Sequence, residues 1–207
     1  MGTETKIFLG VILATVAVIG IGVLFAVNSS SSKPITVSES VLVPADAWAT
    51  GSATPKATLV EFSDFQCPAC RAAEPTVEAI LAKYPDTLRF VYRFFPLPQH
   101  QFGQESALAA QAAGNQGKFW QYHNQLFPNQ DNFSDTFFVQ LAQQLGLNVD
   151  QFKADLKSSA TADRVQSDLT AGNTIGINAT PTFFLNGKEL TLNNFSDLET
   201  AVADAVK

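Results

Sequence analysis

Apolar positions follow three different rhythms along this 207-residue chain. From Ile7 to Val27 they run on without a single charge, "IFLGVILATVAVIGIGVLFAV". A helix of that length covers roughly 30 Å, the thickness of a bilayer's hydrocarbon core. From Ala57 the rhythm changes to short runs rich in β-branched and aromatic residues. "ATLVEF" and, at Leu88–Leu97, "LRFVYRFFPL" predict strands. Between them Cys70, Ala73, Val77, Ile80, Leu81 and Tyr84 recur at three- and four-residue steps, which predicts a helix; Pro75 falls inside it and should kink it. Strand, helix and strand in that order imply a parallel pair with a right-handed crossover.

From about Gln104 to Ile175 the periodicity is helical throughout. The Ala-rich "ESALAAQAAGNQG" stops at glycine and "KFWQYHNQLF" follows. Ser134 suits the N-cap of "DTFFVQLAQQLG", and Asp150 suits the start of the next helix. "TPTFFLNGKELTL" then predicts two strands joined at Asn186-Gly187, a strong hairpin signal. A last helix, "FSDLETAVADAV", carries Leu198, Val202 and Val206 at four-residue spacing. The pattern predicts an α/β domain over 57–207, interrupted by a helical insertion at about 104–175.

Residues 1–27 read as an uncleaved transmembrane anchor. The apolar run exceeds the roughly 7–15 residues of a signal peptide's core, and "FAVNSSSS" is a weak cleavage site. Lys6 and Lys33 flank the span almost evenly, so charge does not set its orientation. Residues 28–56, rich in Ser, Thr, Ala and Pro, read as a tether in which "ITVSESVLV" alternates enough for a short strand or docked segment. The apolar fraction of 46%, with 17 phenylalanines, supports a sizeable core. A net charge of −6 without a long basic block argues against a nucleic-acid partner.

The chain's two cysteines stand together in "TLVEFSDFQCPACR". They are a local redox pair, half of a metal site, or incidental. Pro68 fits a helix's first position, which makes Cys67 the N-cap and puts Cys70 in the first turn. A helix N-terminus carries partial positive charge and unpaired N–H groups, and lowers the pKa of a thiol placed there. Cys67 is therefore the expected exposed nucleophile and Cys70 the shielded resolving thiol. Glu61 has two readings. In a central strand it would lie beneath the cysteines, with a raised pKa that suits it to take the proton of Cys70; on an edge strand it would face solvent. A zinc site of Cys67, Cys70, His100 and His123 has the wrong spacing between its histidines, and His123 reads as a structural residue of an aromatic helix.

Several stretches resemble one family. "VEFSDFQCPAC", Pro75 five residues after Cys70, "INATPTFFLNG" and "QGKFWQYHNQLF" are together similar to the DsbA-like thiol-disulfide oxidoreductases of the thioredoxin superfamily. The resemblance covers Ala57 to the C-terminus. It implies a thioredoxin fold with an inserted helical subdomain, here preceded by a single N-terminal transmembrane helix. It puts Glu61 at the family's buried acid and makes Cys67 and Cys70 a redox-active disulfide, with no other cofactor. A Thr-Pro bond is trans by default, but the resemblance makes Thr180-Pro181 cis and sets it beside the cysteines. Thr180 and Pro181, with Pro68 and Ala69 between the cysteines, then become the substrate-binding residues. The Pro-Ala dipeptide is neither the Pro-His of strongly oxidising relatives nor the Gly-Pro of thioredoxins, so an intermediate potential is expected. The implied setting is a cell membrane, with the domain outside the cytoplasm. The implied partners are cysteine-containing substrate proteins and a membrane protein that reoxidises the pair. A disulfide-forming oxidase leads; a reductase or isomerase, or a peptide-binding module with a static disulfide, are the alternatives.

Overall fold

The structure, a computed structural model, describes residues 35–207 and the single positions Gly2 and Thr15. Apart from Thr15, the expected membrane span at 7–27 lies outside the described residues, among which no helix is long and apolar enough to cross a membrane. In chain order the elements are α1 (Glu39–Leu42), β1 (Trp48–Gly51), β2 (Ala57–Ser63), α2 (Pro68–Lys83) and β3 (Leu88–Phe94). The helical insertion follows: α3 (Gly103–Asn115), α4 (Phe119–Leu126), a 3-10 segment (Phe127–Asn132), α5 (Asp135–Gln144), α6 (Val149–Asp155) and α7 (Ser159–Thr174). The chain closes with β4 (Thr182–Leu185), β5 (Lys188–Glu189) and α8 (Ser196–Ala205).

The strands form one sheet in the order β1-β3-β2-β4-β5. β2 and β3 are the expected parallel pair, in register from Ala57 opposite Leu88 to Ser63 opposite Phe94. β4 joins the other side of β2 antiparallel, and β1 and β5 are the edges. β2 thus has a neighbour on each side, and all seven of its residues are buried. Ala57 and Leu59 pack with Cys70, Val77 and Ile80 of α2 and Leu198 and Val202 of α8. Val60 and Phe62 pack on the opposite face with Phe95, Phe184, Leu42 and Ile177. A strand covered on both faces reads as a continuous apolar run, which is why its periodicity did not reveal which way Glu61 points.

Three expectations need correction. Residues 35–51 belong to the domain: "ITVSESVLV" is a docked segment, one of its two expected states, and the tether reading is corrected for the residues that follow it up to Gly51. Thr36 bridges Lys188, the Val37 N–H donates to the Gly187 carbonyl at 2.8 Å, and β1 pairs with β3. The polar composition around β1 concealed that strand; its anchor is Trp48, whose ring stacks on Phe119 at 4.3 Å while Nε1 donates to Gln111 Oε1 at 2.8 Å. Gly114 permits that fit, since a Cβ there would collide with the Trp48 ring. The helix after α5 is capped by Asn148, whose side chain accepts from the Gln151 N–H at 3.0 Å; Asp150 sits inside its first turn. β5 is only two residues long. Ser134, by contrast, caps α5 as expected, accepting from the Phe137 N–H at 3.2 Å.

Beneath the sheet one ion pair ties three elements. Arg93 of β3 donates Nε to Asp168 Oδ1 of α7 at 2.6 Å and Nη1 to the Val41 and Leu42 carbonyls at the end of α1. Asp168 Oδ2 also accepts from the Phe94 N–H at 3.0 Å. Both side chains are essentially inaccessible. Asp168→Ala should strand a buried guanidinium and lower unfolding stability by about 3–5 kcal/mol. Glu199→Ala, which removes the half-exposed Lys83–Glu199 bridge, should cost less than about 1 kcal/mol. Urea unfolding of both variants measures the contrast.

Candidate active site

β2 delivers the chain to a turn that is held from three directions. Asp64, with its carboxylate buried, accepts from the Gln66 N–H at 2.8 Å, from the Leu97 N–H at 2.7 Å, and meets His100 Nδ1 at 2.7 Å. Its own carbonyl accepts from the Cys67 N–H at 3.0 Å. From the 3-10 segment, Gln130 Nε2 donates to the Phe65 carbonyl at 2.7 Å and the Cys67 carbonyl at 2.9 Å. Cys67 then sits in extended conformation as the N-cap of α2, and Pro68 opens the helix, where its missing N–H costs nothing.

The loop before β4 supplies the opposite wall. The Thr180-Pro181 bond is cis, and Cys67 Sγ donates to the Thr180 carbonyl at 3.3 Å. Cys67 is 6% exposed and Cys70 0%. Cys67 is thus more covered than expected, because the Thr180 backbone lies against its sulfur. Pro68 and Ala69 are exposed beside it. Glu61 is 1% exposed, between Tyr92 of β3 and Phe183 of β4 on the central strand, so the solvent-facing edge-strand alternative is incorrect.

A family model described as thioredoxin matches residues 44–204. The chain belongs to this thioredoxin family. A thioredoxin-like oxidoreductase from Silicibacter pomeroyi DSS-3 superposes with a TM-score of 0.69 at 27% identity, over 82% of this chain and 98% of that one. BdbD from Bacillus subtilis (TM-score 0.68, 21% identity, 84% and 99% covered) and the catalytic domain of Proteus mirabilis ScsC (0.69, 20%, 81% and 93%) share the fold. Among curated relatives, the Na(+)/H(+) antiporter NhaA 3 of Salinispora tropica is 39% identical over 132 residues, which is 63% of this chain and 20% of that protein. NhaA 1 of Mycolicibacterium gilvum is 33% identical over 187 residues, 87% of this chain and 30% of that protein. The chain therefore spans less than a third of the length of these curated relatives.

In this thioredoxin-fold domain both cysteines are free thiols, and they are driven apart electrostatically. The Cys67 thiol is pushed down to about 5, first by the hydrogen bond from the Cys70 thiol; burial opposes this, while the Thr180 side chain and the N–H groups of Cys70 and Ala69 add to it. Cys70 is pushed up by burial, then by donating to Cys67 and by the charge of Glu61. Burial also raises Glu61 to about 7, against the neighbouring Ser63 hydroxyl, and the Cys67 thiolate adds to the rise. Neither Glu61 oxygen has a hydrogen-bond partner in the protein.

The structure does not assemble the weighed zinc set. His100 is engaged by Asp64, and His123 is buried 3.8 Å from Glu74 Oε1. No group of three potential metal ligands occurs among the described residues. Sequence reasoning missed Asp64, Gln130 and Glu74. Asp64 had a local signal, an Asp two residues before a turn amide. Gln130 had none, because its partners lie 63 and 65 positions away.

Two outcomes follow from these environments. Thiolate absorbance of the reduced protein should rise with a midpoint near pH 5 and lose that step in Cys67→Ala. Glu61, raised in the folded state, binds more protons folded than unfolded between pH 4.5 and about 7, so it removes stability as pH climbs through that window. Glu61→Gln should match wild type at pH 4 and exceed it by about 3 kcal/mol at pH 8 in denaturant unfolding.

Proposed function

We propose that this chain is a membrane-anchored thiol-disulfide oxidoreductase that works outside the cytoplasm and forms disulfides in substrate proteins. The observation that carries this reading is Cys67: a thiol with a lowered pKa at a helix N-terminus, facing the Thr180 carbonyl across the cleft. A stabilised thiolate favours the reduced form of the pair and so makes its disulfide oxidising.

The chemistry runs as an exchange of sulfur partners. A substrate thiolate attacks Cys67 Sγ, the Cys67–Cys70 bond breaks, and Cys70 leaves as a thiolate that takes a proton. Glu61 lies close enough to Cys70 for its charge to raise that thiol, and with its own pKa near 7 it is suited to give the proton and to take it back. A second substrate thiolate then attacks the substrate sulfur of the mixed disulfide and expels the Cys67 thiolate. The substrate is oxidised by two electrons and the pair is reduced. A disulfide-bearing membrane partner returns the pair to its oxidised state. Thr180, Pro181, Pro68 and Ala69 line the rim on which an extended substrate would lie.

The apolar run at 7–27 supports the anchor. So does the placement of the matching segment within larger proteins named as antiporters. Reduction or isomerisation would use the same atoms, and a static disulfide would make the cleft a peptide-binding module. The potential of the pair separates these readings: about −120 to −200 mV for an oxidase or isomerase, about −270 mV for a reductase, and below about −300 mV for an inert bond. Cys70→Ala should accumulate mixed disulfides with substrate proteins on non-reducing gels, and Cys67→Ala should form none. Equal trapping by both variants would remove Cys67 as the nucleophile.

A further inference from the structure

A hollow of about 680 Å³ lies beside the loop that carries Thr180. It is floored by Phe95 and Leu97 at the exit of β3, by Leu169 of α7, and by Ile177 just after α7. Its rim carries Gln99, Gln104, Asn173 and Asn178, all exposed. None of these four side chains makes a hydrogen bond to the described residues. The amides that hold the fold, such as Gln66, Gln111 and Gln130, are bonded. His100 lines the same hollow. Its Nδ1 is taken by Asp64 Oδ2, and its Nε2 has no partner among the described residues. An apolar floor rimmed by free amides suits an extended polypeptide, whose backbone carries a donor and an acceptor at nearly every residue.

A second hollow adjoins the first. It holds about 340 Å³ and is lined by Leu108 of α3, Phe138 and Val139 of α5, and Leu156 at the end of α6, with Asp135, Lys153 and Lys157 exposed at its edge. Glu105, in the first turn of α3, lines both hollows and forms the ridge between them. This ridge is built onto the turn that carries Cys67. The Phe102 N–H, at the N-cap of α3, donates to Gln66 Oε1, and Gly103 lies so close to Asp64 that a Cβ there would stand 3.0 Å from Oδ2. No ion pair engages Glu105, Asp135, Lys153 or Lys157 among the described residues. Glu105 is open to a basic side chain crossing the ridge. Past it the two lysines outnumber Asp135 and are open to an acidic one.

We propose that the two hollows form one track for substrate protein and receive the residues that follow the reacting cysteine. This rests on the oxidoreductase reading and gives it a sequence preference: a basic, a large apolar and an acidic residue, in that order, downstream of the cysteine. The direction comes from strand pairing. A segment laid antiparallel along Asn178–Thr180 carries its later residues away from Thr180, over Asn178 and into the first hollow. There the free amides and His100 Nε2 meet its backbone. The basic residue crosses at Glu105, the apolar side chain fills the second hollow against Leu108, Phe138 and Leu156, and the acid reaches Lys153 and Lys157. Burial of the apolar side chain supplies most of the preference, since ion pairs at an exposed rim are worth little singly.

The test uses the reduced full-length chain and synthetic peptides whose single cysteine is capped as a mixed disulfide with glutathione. The reaction oxidises Cys67 and Cys70 to their disulfide and releases the peptide and glutathione thiols. Lys, Phe and Asp follow the cysteine in that order within a Gly/Ser backbone, and the spacer between the cysteine and Lys is scanned. The second-order rate constant should rise about tenfold at the best spacing over an all-Gly/Ser peptide, and should not rise when the three residues precede the cysteine. Val139→Trp, which fills the second hollow from its wall, should abolish the gain. Lys153→Glu combined with Lys157→Glu should cut it about threefold, and a peptide with Lys in place of Asp should restore it. Both variants should react with glutathione disulfide at the wild-type rate, since glutathione is too short to cross the ridge. A gain that is absent at every spacing, equal for residues placed before the cysteine, or unchanged in Val139→Trp overturns the proposal. A wild type that reacts with neither the peptides nor glutathione disulfide overturns the oxidoreductase reading instead.

Discussion

The Asp64 carboxylate is the fixed point of this domain. It takes the N–H groups of Gln66 and Leu97 and the Nδ1 edge of His100, and so clamps the end of β2 to the exit of β3. Everything chemical hangs from that clamp. The turn it closes puts Cys67 at the cap of α2, and Gln130 pins the same turn from the insertion by two carbonyls. Three partners converge on this one buried carboxylate, and together they fix the turn from two sides. The helical insertion is therefore more than a cover, since one of its residues positions the backbone of the nucleophile.

Burial has opposite chemical results within a few residues here. Cys67 and Cys70 share one helix turn, yet one thiol is lowered and the other raised. The difference lies in donors. Cys67 receives hydrogen bonds from a thiol and from the free N–H groups of the first helical turn, while Cys70, one turn in, keeps its proton, donates it in a hydrogen bond to its neighbour, and feels the charge of Glu61. Glu61, with no partner of its own, shows what desolvation does when nothing opposes it strongly.

Much of the fold was legible because local signals agreed with tertiary ones. The parallel pair, the cap at Ser134, the Asn186-Gly187 turn and the position of Cys67 each had a short-range physical cause. What stayed hidden had none. The direction of Glu61 could not be read from a strand buried on both faces. β1 lay in a stretch whose Ser, Thr and Ala content resembles a linker, and the partners that anchor Trp48 there are more than 60 positions away. The preference for Asn148 over Asp150 as cap is a shift of two positions in a segment that offers both. Glu74 sits on a helix where a glutamate normally reaches solvent; only the packing of α4 against α2 and β3 encloses it. The cis state of Thr180-Pro181 was carried by family likeness, since nothing in the dipeptide distinguishes it.

The segment from Ile35 to Gly51 begins hydrogen-bonded to the β4–β5 hairpin, passes Leu42 under the sheet, and ends as β1 on the opposite edge. It is a strap around the sheet. A mechanical load applied at its first residue would be met in sequence, by the bonds to Gly187 and Lys188, then by the grip of Arg93 on the Val41 and Leu42 carbonyls. Only after those had yielded would tension reach β1. None of the bonds in that line is made by Cys67, Cys70, Thr180 or Pro181, so the reactive end is not among the contacts a pull from the N-terminal side would break first.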